Sequence, residues 1–189
     1  MNSKKNTVSS LKRLLAPQIL ENICDLATKG NESLEEITGL YNELKRRKNS
    51  KWMRQARVEL RKYELSPIYW LDRVKKITDS FEKKTVGKNH VYIVLLDNCH
   101  RYRRQTDKTK KFPRYGIYIG QTSKKPENRL KQHKEGKRLF ARCWKRMLYL
   151  LPSLYEHLNP LSTEEAKDIE SELAKVIRSL DIIKVEGGH

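Results

Sequence analysis

Acidic residues are in short supply: 23 Asp and Glu stand against 41 Lys and Arg, which leaves the 189-residue chain at +18. That imbalance disfavours acid-rich scaffolds and suits a polyanionic partner. Nucleic acid comes first, because each cation near a phosphate releases a counterion. Lysines also keep small proteins soluble, so charge alone does not decide the function. Cysteine is scarce too. Cys24, Cys99 and Cys143 lie far apart with no C-x-x-C pair, which signals neither a disulfide framework nor a zinc knuckle and fits a reducing cytoplasm. No apolar run approaches the roughly 20 residues a bilayer span needs. The N-terminal MNSKKNTVSS lacks the apolar centre of a secretory signal. No amphipathic helix rich in Trp or Phe stands out for a membrane surface. The expectation is a soluble, cytoplasmic protein with no membrane partner.

What is present changes character near residue 87. Residues 1–86 read as an all-α domain. Ser10 caps a short helix, and Pro17 opens a second that carries Ile19, Leu20, Ile23 and Leu26 and stops near Gly30. Ser33-Leu34-Glu35-Glu36 has capping-box form, followed by Leu34, Ile37, Tyr41 and Leu44 on one face. A further helix covers about residues 50–64, and Ser66-Pro67 offers the start of another with Ile68, Leu71, Val74 and Ile77.

Beyond residue 87 come a β-rich run, Val91 to Leu96, and a second, Tyr115 to Thr122. Helical segments follow at Pro126 to Glu135, ended by Gly136, and about Arg138 to Met147. Tyr149 to Leu158 reads as a third strand, and Ser162 or Thr163 caps a last helix with Ala166, Ile169, Leu173, Val176, Ile177 and Leu180 on one face. The predicted order is β, β, α, α, β, α. Residues 101–146 carry 17 basic and 3 acidic side chains, whereas 147–189 carry 4 and 8.

Taken singly, the chemical candidates are ordinary. A strand tyrosine usually packs, and Arg129 with His133, spaced i, i+4, shares one helix face. Their order along the chain says more. Tyr118-Ile119-Gly120, then Arg129-Leu130-Lys131-Gln132-His133, then Ile169-Glu170-Ser171-Glu172-Leu173-Ala174-Lys175, with His90-Val91-Tyr92 heading the earlier strand, resemble the GIY-YIG endonuclease superfamily. The resemblance covers about residues 90–185. Gly116-Ile117-Tyr118 spells the GIY half of the signature as well, but that reading would leave no second tyrosine.

The resemblance implies an α+β domain over 87–189, a small antiparallel three-stranded sheet flanked by helices, with a basic insert at about 99–113. It implies a Mg²⁺- or Mn²⁺-dependent endonuclease acting on DNA, with Tyr92, Tyr118, Arg129, His133 and Glu170 as catalytic residues and Glu170 as metal ligand. Arg129 would grip a phosphate with its planar fork, and one carboxylate suffices for a cation that keeps several waters. Tyr92, Tyr118 and His133 all remain candidates for the base. A free tyrosine ionises near about 10 and histidine near about 6.5. Glu165 and Glu172 share the helix and are alternative ligands.

Phosphate contacts are expected from Arg101, Arg103, Arg104, Lys108, Lys110 and Lys111 of the insert, read as a mobile surface loop, and from Lys124, Lys125 and Lys131. The helical domain would add DNA affinity, target choice or dimer contacts, and RNA stays open beside DNA as the substrate. One metal site cuts one strand, so cutting a duplex calls for a dimer or repeated encounters. A zinc site from Cys99, His100, Cys143 and His133 matches no common ligand spacing. Trp144 and Gly187-Gly188-His189 carry no readable signal. The rival reading is a nucleic-acid-binding module that kept the fold and lost the chemistry, for which His90 and Gln121, in places where the family has Gly and often Lys, speak.

Overall fold

The computed structural model describes residues 13–135 and 143–188, and the chain divides into two compact units, Met1–Leu71 and Asp72–His189. The division falls earlier than residue 86 for a visible reason. The Lys75 ammonium donates to the Ser153 carbonyl at 3.1 Å, and His157 Nε2 donates to the Thr78 carbonyl at 2.9 Å. Further along, Glu165 accepts the amides of Lys84 and Thr85 at 2.6 and 2.8 Å. These bonds fasten residues 75–85 to the second unit.

The first unit holds α1 (Ala16–Thr28), α2 (Leu34–Arg46) and α3 (Ser50–Lys62), with α1 packed on both others. Ile19 and Ile23, then Ile37 and Leu44, then Ala56 and Leu60 are wholly buried, and each large aliphatic among them contributes about 1.5–3 kcal/mol by leaving water. Ser33 does not cap α2 through its side chain. It ends a 3-10 turn, Gly30–Ser33, at φ −91°, ψ 3°, whereas a capping serine needs extended backbone. Ser66-Pro67 does not open a helix either: the Ile68 amide donates to Thr38 Oγ1 at 2.9 Å, and α4 starts at Leu71 (Leu71–Thr78). The cap expected at Ser10 lies outside the described residues.

The second unit contains β1 (His90–Leu96), β2 (Gly116–Thr122), α5 (Pro126–Lys134), β3 (Met147–Leu150), α6 (Thr163–Ser179) and β4 (Val185–Gly187). The α+β class holds, but the sheet is mixed and four-stranded, in the order β3-β1-β2-β4. β1 runs antiparallel to β2 and β3, and β4 runs parallel to β2. β1 is buried from Val91 to Leu96, so both its faces are covered, which explains its unbroken apolar run. The third strand is shorter than expected and starts earlier, because Pro152 cannot donate to a ladder. Residues 152–154 and 156–158 form 3-10 turns instead. Of the basic stretch read as helix, residues 138–142 and Gly136 lie outside the described residues; Trp144–Arg146 is a 3-10 turn and Met147 opens β3. Ser162 caps α6, its Oγ accepting the Glu165 amide at 3.2 Å.

Candidate active site

The register of β1 on β2 sets Tyr92 opposite Gly120 and Val94 opposite Tyr118. Side chains two apart in a strand share a face, so Tyr92, Gly120 and Tyr118 point the same way. The two tyrosine ring centroids lie 6.0 Å apart. Gly120 makes this approach feasible: a Cβ there would sit 2.8 Å from both the Tyr92 hydroxyl and the Tyr118 ring. α5 packs on β1 and β3 and brings His133 to the same cluster, its ring 6.3 Å from Tyr92 and 5.6 Å from Tyr118. The Tyr92 hydroxyl and His133 Nε2 are hydrogen-bonded at 2.9 Å.

Burial governs the ionisation of this cluster. Tyr92 and His133 are each 1 % exposed. Desolvation pushes the Tyr92 phenol well above its ordinary value, with Tyr118 adding to the rise and the Arg129 guanidinium opposing it. Tyr118 is raised too, chiefly by burial and then by the nearby charge of Glu170, while a hydrogen bond from Tyr92 and the charge of Arg129 pull the other way. Burial, helped by Arg129, pushes the His133 imidazolium down to about 4. At neutral pH the cluster is therefore two phenols and a neutral imidazole. Arg129 acts electrostatically on all three rings, and its Nη1 donates to Gln132 Oε1 at 3.4 Å.

Glu170 arrives from α6, which packs on β1, β2 and β4. It is 8 % exposed, and its Oε1 accepts the Gly188 amide at 3.2 Å. The two alternative carboxylates are placed differently. Glu165 is taken by Lys84 and Thr85, including the Thr85 hydroxyl, and Glu172 is exposed. The five residues Tyr92, Tyr118, Arg129, His133 and Glu170 thus all belong to one neighbourhood.

Among the described residues no three of His, Cys, Asp and Glu gather into a cage. A cation held by Glu170 would take its other ligands from substrate oxygens and water, which is Mg²⁺ and Mn²⁺ chemistry.

Two features of this neighbourhood escape sequence reading. Gly187 and Gly188 close it from β4. Gly187 has φ +81°, and a Cβ there would meet the Ile119 carbonyl oxygen at 1.9 Å and the Tyr118 ring at 3.1 Å. The Gly-Gly pair was a signal in hand, but nothing local ties it to Tyr118. The Asn159 side chain pairs with both backbone groups of Val91, at 2.9 and 2.8 Å, and so fixes β1 immediately beside Tyr92.

The phosphate-contact candidates fall on two elements. Arg101, Arg103, Lys108, Lys110 and Lys111 are exposed on an insert that is folded rather than a free loop. Arg103 and Lys111 form a β-bridge, the Arg104 amide donates to the Lys110 carbonyl at 2.9 Å, and the Phe112 amide to the Tyr102 carbonyl at 3.0 Å. Asp181 accepts the amides of Gln105 and Thr106 at 3.0 and 2.9 Å. The Arg146 guanidinium and Lys184 ammonium lie 4.9 and 5.2 Å from the centre of the Tyr102 ring. Arg104 is half-buried. Lys124, Lys125 and Lys131, all exposed, stand just before and on α5.

No family model matches the chain, nor does any curated protein or solved structure.

Proposed function

We propose that the second unit is a GIY-YIG-like endonuclease that hydrolyses DNA phosphodiester bonds with Mg²⁺ or Mn²⁺ held at Glu170. The observation that carries this reading is the cluster of Tyr92, Tyr118 and His133 around Gly120, with Glu170 contributed by a separate helix. Glu170 would hold the cation, which would supply positive charge to the phosphate oxygens and lower the pKa of a bound water.

The chain's own residues do the rest. Arg129 presents a fixed positive fork to a phosphate oxygen, where charge grows as the leaving oxygen departs. Tyr118, only partly buried, is the phenol a substrate reaches first. Neither tyrosine ionises readily in this environment, so a free phenolate does not serve as base. Instead, buried Tyr92 and neutral His133, hydrogen-bonded at 2.9 Å, hold the cluster in place, and the Tyr118 hydroxyl accepts a hydrogen bond from the attacking water and orients it.

Plasmid DNA incubated with Mg²⁺ against EDTA tests the reading, with wild type compared to Glu170→Ala, Arg129→Ala, Tyr118→Phe and His133→Ala. Metal-dependent nicking that falls at least 100-fold in each variant is expected. Retained cutting by Glu170→Ala refutes the metal assignment. DNA binding without cleavage by wild type favours the binding-module reading.

A further inference from the structure

The first unit carries the densest positive charge that the nuclease reading leaves unused. From Lys45 to Lys62 there are nine Lys and Arg and one acid, Glu59. Glu59 is half-exposed and is held by Lys62 at 2.6 Å. The segment has the connectivity of a helix-turn-helix: α2 ends at Arg46, three residues turn the chain, and α3 begins at Ser50. Lys48 sits in the left-handed region at φ 54°, and the Asn49 amide returns to the Leu44 carbonyl at 3.1 Å, which fixes the turn.

α3 turns only one edge to its bundle. Ala56 and Leu60 are its buried residues. At about 100° per residue, Arg57, Arg61, Arg54, Val58, Lys51 and Gln55 follow one another across roughly 160° of the helix, and all six are exposed. From this arrangement we infer that α3 is a recognition helix that lies in the major groove of duplex DNA.

The chemistry favours duplex DNA over other anionic surfaces. A membrane-surface helix needs an apolar face to bury; the apolar edge of α3 is already used in the bundle, and Val58 is isolated among cations. A helix with its side chains is about 10–12 Å across, the width of the B-form major groove, whereas the A-form groove of duplex RNA is too narrow to admit it. Arg54 and Gln55 are residue types that pair bidentately with guanine and adenine edges, and a valine suits the thymine methyl. Arg57, Arg61 and Lys51 flank them as phosphate contacts.

The inference is independent of the nuclease reading, since it concerns binding by a different unit and is measured in EDTA, where no cutting occurs. Fluorescence anisotropy of the full chain on a labelled 30-bp duplex across 50–300 mM salt compares wild type with Arg54→Gln/Arg57→Gln/Arg61→Gln, substitutions that keep helix propensity. Affinity at about 100 mM salt should fall at least tenfold, and the slope of log affinity on log salt should lose two to three, at about 0.9 per contact. A circular-dichroism melt unchanged from wild type assigns that loss to the surface. If the triple variant is poorly folded, Arg57→Gln alone, expected to cost about one in slope, provides the reading. Unchanged affinity and slope overturn the inference. So does equal affinity for duplex RNA of the same sequence, or tighter retention by phosphatidylserine vesicles than by DNA.

Discussion

His133 and Gly120 show how single residues set the behaviour of the site. Buried His133 binds its proton only near pH 4, whereas in the unfolded chain it does so near about 6.5. Between those values the unfolded state holds the extra proton, so stability is full above about 6.5 and declines as pH falls toward 4, by about 3 kcal/mol when complete. Urea unfolding midpoints across pH 7 to 4 should show this decline, and His133→Gln should flatten it. Gly120→Ala should cost about 1–3 kcal/mol, the range for overpacking, because its Cβ would collide with both tyrosines. A lower urea midpoint together with altered near-UV tyrosine dichroism checks it; an unchanged spectrum would contradict the packing described. Tyr118, Arg129 and Glu170 were legible as residues because their types and spacing form a pattern. The neutrality of His133 was not, since desolvation is a property of what surrounds a ring.

At the scale of elements, the insert between β1 and β2 departs most from expectation. Its composition is that of a solvated loop, yet Asp181, from the turn after α6, anchors its far end through two amides and the Thr106 hydroxyl. Those hydrogen bonds link positions 75 or more residues apart, so no local pattern announces them. Asp181→Ala should release the insert: trypsin is expected to cut between residues 101 and 111 at least tenfold faster than in wild type, while far-UV dichroism stays the same. Equal cleavage rates would show that the anchor is dispensable. β4 was missed for a related reason. Three residues ending in Gly187 are too few to carry a period, and the parallel partner, β2, is more than 60 residues away.

For the whole molecule, the two units have separate cores, and the change in sequence texture near residue 87 falls inside the second unit, where its sheet begins. Ile19, Leu44 and Leu60 are buried within the first bundle, and the sheet core of Ile93, Leu95 and Ile119 within the second. Fragments 1–71 and 72–189 should therefore each give a cooperative thermal transition by circular dichroism; a non-cooperative melt of either would show that its core is incomplete. No helix among the described residues is long and apolar enough to cross a membrane. By itself, the sequence determined the helical character of the first unit, the pairing-competent strands β1 and β2, the excess of positive charge and the residue types of the candidate site. All of these are written in composition and short-range periodicity. Tertiary structure alone decided the fourth strand, the closure of the site by Gly187 and Gly188, the anchored insert and the contiguous basic face of α3. Each depends on which distant segments meet and which side chains burial leaves outside, and that follows from packing rather than from neighbours along the chain.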